Sequence, residues 1–151
     1  DTFAEKYLFN HLGISEYKWS KSPRGLVQTG GGLALRARDM AKFGQLYLNS
    51  GQWEGQQIIP EEWVNDSTRL QIKKLVGGYG YQWWMRSFKV HGRPIGSYYA
   101  LGRAGQFIMV FPAFDLIVVS TAQNYDYGWS TRFYNLVHKY ILQAVMPVSK
   151  N

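Results

Sequence analysis

Residues 101–111, Leu-Gly-Arg-Ala-Gly-Gln-Phe-Ile-Met-Val-Phe, constrain this chain more than any other stretch. The second half is a run of large apolar residues, the pattern of a buried strand. The first half places a cation, a small residue and a glycine at the strand's start. Glycine there marks a bulge or a close approach of the backbone to a neighbour. That neighbour is either a packed segment of the protein or a ligand laid along the strand edge. Beyond Phe111, Pro112-Ala113-Phe114-Asp115 reads as a reversal, and residues 116–121 read as a second apolar strand. Strands flanking so short a turn pair antiparallel.

The remaining elements follow from periodicity and punctuation. Phe3, Tyr7, Leu8 and His11 have helical spacing over residues 2–12, with Gly13 as the stop. Residues 14–36 read as a long irregular passage, rich in Ser, Pro and Gly. Residues 37–50 form the clearest helix, with Met40, Phe43, Leu46 and Tyr47 on one stripe, Arg38, Asp39, Lys42 and Gln45 mostly away from it, and Gly51 as the stop. Arg36 makes a weak N-cap. Pro60-Glu61-Glu62 opens another helix, with acids where the helix dipole favours them. Aromatic residues 79–86 and residues 97–101 read as strands, separated by a turn at His91-Gly92-Arg93-Pro94. Residues 129–146 close the chain as a helix with Phe133, Leu136, Val137, Tyr140, Ile141 and Ala144 on one side. Helices, then strands, then a helix imply an α+β fold with a mainly antiparallel sheet and covering helices.

Composition narrows the function classes. With 151 residues, 46% hydrophobic and 17% aromatic, the chain suits one domain with a substantial core. A net charge of +7 favours anionic partners. The cations are scattered along the sequence, however, which argues against nucleic acid as the partner. The absence of cysteine excludes disulfides and thiolate metal sites. His11, His91 and His138 lack metal spacing, and Asp115 and Asp126 read as turn residues. No cofactor or metal is implied. No apolar run is long enough to span a membrane. The first six residues do not form a signal peptide, and the chain opens inside a helical pattern without Met, as a piece of something longer would.

Several stretches together resemble a known family. They are residues 31–49 (Gly-Gly-Leu-Ala-Leu-Arg-Ala-Arg-Asp-Met-Ala-Lys-Phe-Gly-Gln-Leu-Tyr-Leu-Asn), Ile58-Ile59-Pro60-Glu61-Glu62-Trp63-Val64, Tyr79-Gly80-Tyr81-Gln82-Trp83-Trp84, and residues 100–108. In that order they resemble the C-terminal portion of serine β-lactamase-like hydrolases, the relatives of class C β-lactamases, esterases and DD-peptidases. The resemblance runs over residues 1–151 and implies that the nucleophile-bearing N-terminal portion lies outside them. It implies a small amide, ester or β-lactam-type substrate, acyl-enzyme chemistry, and a periplasmic or secreted setting. Arg103-Ala104-Gly105 would stand for the family's Lys-Thr-Gly-like strand. Arg103 would then bind a substrate carboxylate without exchanging protons. Ala104 would lack the motif's hydroxyl, and Gly105 would permit close approach. The Gln106 backbone N–H would supply one oxyanion donor. Arg103 also has a plainer reading as a solvated or salt-bridged residue. Ser15-Glu16-Tyr17-Lys18 and Tyr47-Leu48-Asn49 match the family's Ser-x-x-Lys and Tyr-x-Asn only by spacing. The resemblance places Ser15 in a loop, and Tyr47 belongs to the apolar stripe of its helix.

Two other functions compete with the hydrolase. One is a non-catalytic peptide or cell-wall binding module of the same fold. The other is a basic surface-binding domain, whose affinity for anionic polymers would fall steeply with salt. A chain lacking part of its sheet exposes a strand edge and an apolar patch. Light scattering should therefore show concentration-dependent self-association, and a clean monomer would count against the partial-domain reading.

Overall fold

The computed structural model describes residues 1–145, which divide into two units, Asp1–Asn65 and a second beginning at Asp66. In the first unit, α1 (Thr2–Ala4) runs into a wide, π-type turn over Glu5–Phe9. The helical path ends at the turn over residues 10–13, where the Ile14 N–H reaches the Phe9 carbonyl at 2.8 Å. Phe9 and Ile14 thereby enter one core with Leu12 and Leu46. Burying side chains of this size contributes about 1.5–3 kcal/mol each.

Residues 14–36 are more ordered than their composition suggests. β1 (Tyr17–Trp19) pairs antiparallel with β2 (Leu33–Leu35), and Lys21 bridges Val27 beyond them. The Trp19 indole donates to the Gln28 carbonyl at 2.9 Å, closing the excursion between the strands.

The helix expected over residues 37–50 is α2 (Ala37–Leu48), and Arg36 makes no side-chain cap. Asp39 is not on a solvated face; it is buried and paired with Lys42 at 3.0 Å. A carboxylate in a first turn is favoured by the helix dipole, and a cation three residues on lies within reach. Lys42 also donates to the Gly13 carbonyl at 3.0 Å, fastening α2 to the end of the first helical segment. The stop comes one residue earlier than Gly51, because Ser50 takes the left-handed conformation at φ 52°. Gly51 is required for another reason. A Cβ there would meet the Ile59 carbonyl oxygen at 2.0 Å. The chain continues through the short hairpin of β3 (Gln52–Trp53) and β4 (Gln56–Gln57) to α3 (Glu61–Thr68), within which the two units divide.

The second unit is built on a six-stranded antiparallel sheet. Its strands are β5 (Ile72–Lys73), β6 (Gly78–Tyr79), β7 (Trp84–Val90), β8 (Arg93–Gly102), β9 (Gln106–Phe111) and β10 (Leu116–Ser120), neighbours in sequence order throughout. The aromatic stretch expected as one strand over residues 79–86 is two. The chain leaves the sheet at residues 80–83, with Gln82 at φ 66° and Trp83 buried against Tyr98. The expected β9–β10 hairpin forms, and Asp115 occupies its left-handed turn position at φ 50°. Asp126 lies in a loop and pairs with Arg132 at 2.6 Å, which holds its carboxyl below the usual carboxylate range.

β9 is buried on both faces from Phe107 to Phe111. One face meets α4 (Trp129–Leu136), which continues through a π-type turn over Val137–Ile141 into α5 (Leu142–Val145). That wide turn shifts the helix face. Val137 and Leu142 are buried, whereas Leu136, Tyr140 and Ala144 of the expected stripe point outward. Residue 146 of the expected helix lies outside the described residues. His138 Nε2 lies 2.7 Å from the Lys89 carbonyl, tying this helix to β7.

The Tyr134 hydroxyl donates to that of Tyr99 at 3.0 Å, and the Arg86 guanidinium sits 4.2 Å from the centre of the Tyr134 ring. Burial, aided by the hydrogen bond with Tyr99, pushes the Tyr134 phenol above its ordinary range. Folding thus favours the neutral phenol. This contribution is intact below the free tyrosine value of about 10 and is lost as pH rises beyond it. Urea titrations between about pH 8 and about pH 11 should show declining stability, and a Tyr134→Phe variant should decline less steeply.

Candidate functional site

Arg103, Ala104 and Gly105 are the three-residue turn between β8 and β9, closed by the Gly102–Gln106 pair. The sequence suggested a strand there; the strand ends at Gly102. Ala104 is buried at φ 64° and Gly105 has φ 105°. A β-branched residue such as threonine strongly resists the Ala104 conformation, so position 104 is shaped differently from a threonine on a strand.

A strap formed by residues 122–125 holds the turn. The Asn124 N–H donates to the Ala104 carbonyl at 3.0 Å. The Gln106 side-chain amide donates to the Ala122 carbonyl. A Cβ on Gly105 would come within 2.9 Å of the Ala122 Cβ, so the glycine permits this packing. The Arg103 guanidinium lies 5.5 Å from the centre of the Tyr125 ring, and both side chains are exposed. Contact with the ring face restrains the cation without neutralising it. Beyond Tyr125, residues 125–131 line an open cleft of about 590 Å³.

The sequence reading found the strand before this turn but missed its unpaired edge. The β7–β8 ladder ends at the Trp84–Tyr99 pair, whereas β8–β9 continues to Gly102–Gln106. Among the described residues, residues 100–102 therefore pair with a strand on the β9 side and with none on the β7 side. The departure of the chain at residues 80–83 leaves that edge open. An unpaired strand edge presents N–H and C=O groups that an extended ligand can match. No local sequence pattern marks this edge, because it depends on where a different strand stops.

The other spacing matches are not assembled as chemistry. Ser15 and Lys18 are exposed, and Lys18 lies on β1, where residues three apart are not brought together as they are on a helix. Tyr47 is buried on α2 beside Phe43, with ring centres 5.4 Å apart, and Asn49 accepts from Gln45 at 2.9 Å. Among the described residues, no three His, Cys, Asp or Glu side chains form a group suited to a metal ion.

No family model matches the chain. Among solved structures it is similar to the protein described as "Putative 6-aminohexanoate-dimer hydrolase from Bacillus anthracis". The likeness has a TM-score of 0.72 at 25% identity and covers 93% of this chain. The chain spans 38% of that neighbour's length. The chain thus shares its α+β fold with a protein described as a hydrolase.

The turn's close packing sets an expectation for substitution. Gly105→Ala combines an unfavourable φ with the Ala122 clash and should cost about 1–3 kcal/mol in urea unfolding. Gly96 on β8 has open space around it and no positive φ, so Gly96→Ala should leave stability unchanged or slightly raised.

Proposed function

We propose that this chain is the C-terminal portion of a serine hydrolase of the β-lactamase-like family and forms the substrate-facing wall of its acyl-transfer site. The observation that carries this reading is the open β8 edge at residues 100–102, running into a pinned turn with an exposed cation, in a chain that shares its fold with a hydrolase. The order of the family-like stretches along the sequence supports it. The complete enzyme would acylate a serine with an amide or ester and then hydrolyse the acyl-enzyme. The serine and its basic partner would come from the part of the domain outside these 151 residues.

Each residue of the turn has a distinct role in this reading. Arg103 binds a substrate carboxylate, with two parallel hydrogen bonds available from its guanidinium. It remains charged throughout and transfers no proton. A dimer of 6-aminohexanoate is joined by an amide and ends in a carboxylate, so a substrate of that type would suit Arg103 and the open edge together. Ala104 offers no hydroxyl, which leaves the carboxylate to Arg103. Gly105 lets the strap pack close. The Gln106 backbone N–H is one oxyanion donor, an interaction worth about 2.7–4 kcal/mol in a transition state. A single donor without a nucleophile leaves the 151-residue chain inactive by itself.

A peptide or cell-wall binding module of the same fold is the competing reading. It is favoured by the lack of a proton-transferring side chain at Arg103 and Ala104. One experiment separates the two. A fluorophosphonate or penicillin-type probe applied to the full-length protein should label a serine outside residues 1–151. Absence of labelling would favour the binding module, and labelling of Ser15 would overturn the assignment. In an active protein, Arg103→Ala should raise KM about tenfold or more for carboxylate-bearing substrates and leave their methyl esters nearly unaffected.

A further inference from the structure

The cations are spread along the chain but the acidic residues are not, so the net charge gathers in one segment. Between Asp66 and Asp115 there is no acidic residue, yet seven of the 17 Lys and Arg fall there. The other ten are matched by the ten Asp and Glu, so the whole net charge of +7 resides in that segment. It runs from the end of α3 into the β5–β6 hairpin, on the outer edge of the sheet.

The apex of that hairpin is unusual. Ile72 pairs with Tyr79, Lys73 pairs with Gly78, and the Lys74 N–H donates to the Gly77 carbonyl at 3.3 Å. Leu75 and Val76 therefore form the tip, where Asn, Asp or Gly is the common choice. Backbone geometry does not ask for them, since the positive φ of the turn is carried by Gly77 at 77°. Core packing does not ask for them either. Leu75 is 103% exposed and Val76 64%, with Leu70 and Ile72 more than half exposed behind them. Lys73 and Lys74 adjoin the tip, both exposed and, among the described residues, in no ion pair. Arg69 is also exposed and pairs with Asp66 at 3.3 Å.

We propose that the β5–β6 hairpin is a peripheral contact for an anionic lipid bilayer, with Leu75 and Val76 entering the headgroup boundary and Lys73 and Lys74 meeting the lipid phosphates. A narrow apolar tip rimmed by cations matches that boundary, where apolar burial and electrostatic attraction act together. A protein partner would need a broader complementary face than this tip offers. An anionic polymer would use the lysines but leave Leu75 and Val76 in water. The contact is peripheral, since no helix among the described residues is long and apolar enough to cross a membrane. It uses none of residues 100–106, and it requires the tip to stay uncovered in the complete domain.

Cosedimentation of the full-length protein with phosphatidylcholine vesicles, with and without phosphatidylglycerol, tests this proposal. Binding should require phosphatidylglycerol. A Leu75→Ser/Val76→Ser double variant should bind about tenfold or more weakly while melting at the same temperature as the parent protein. Lys73→Glu/Lys74→Glu should abolish the preference for phosphatidylglycerol. A Leu75→Trp variant should show a blue-shifted emission on adding these vesicles. Failure of the protein to bind anionic vesicles would overturn the proposal. So would undiminished binding by the Leu75/Val76 variant, or equal binding to soluble polyphosphate. Either would leave an electrostatic surface with no lipid-entering tip.

Discussion

The packing of Phe107 is the contact on which the second unit depends. Its ring stacks on Phe133 with centres 4.0 Å apart and meets Trp129 and Tyr134 edge-on. The residue follows Gln106 directly, so the ring that anchors β9 to the C-terminal helix also fixes where the β8–β9 turn ends. Aromatic pairs of this kind add about 0.5–1.5 kcal/mol each beyond the area they bury. Position at the candidate site is therefore inherited from core packing one residue away, not from interactions among the site residues.

The hydrogen-bonding strap completes what the core begins. Gln106 reaches Ala122, Ala104 accepts from Asn124, and Tyr125 lies beside Arg103. These contacts keep a non-glycine residue in the left-handed region at Ala104, a conformation that costs about 1–3 kcal/mol and persists only where the surroundings enforce it. Such strain is common at functional sites, and here it coincides with the place where a strand edge is left unpaired.

Much of this architecture was legible from local pattern. The β9–β10 hairpin announced itself through Pro112 and Asp115 between two apolar runs. α2 and the C-terminal helix followed from apolar spacing. What escaped the sequence was set by distant partners. β1 and β2 are three residues each and find one another across an excursion of Ser, Pro and Gly. The aromatic run through Trp83 and Trp84 carries no proline to show that it breaks. Asp39 was read as lying mostly away from the apolar stripe, yet it is buried beside Lys42. Leu136 and Tyr140 were read as inward-facing, since a single π-type turn rephases the helix without any sequence signature. Arg103, Ala104 and Gly105 were read as strand residues but form a turn, while Gln106 does begin β9; their partners in the strap lie some twenty positions further along.

The strap has one more consequence. It starts from the end of β10, touches the turn, and then enters α4, whose aromatic rings return to Phe107. The path closes on itself as a mechanical loop, turn to strap to helix to strand and back. A loop of this kind has no free end to swing. The turn at Arg103 is therefore tied to the helix behind it, and in the hydrolase reading proposed above it would serve as a fixed template.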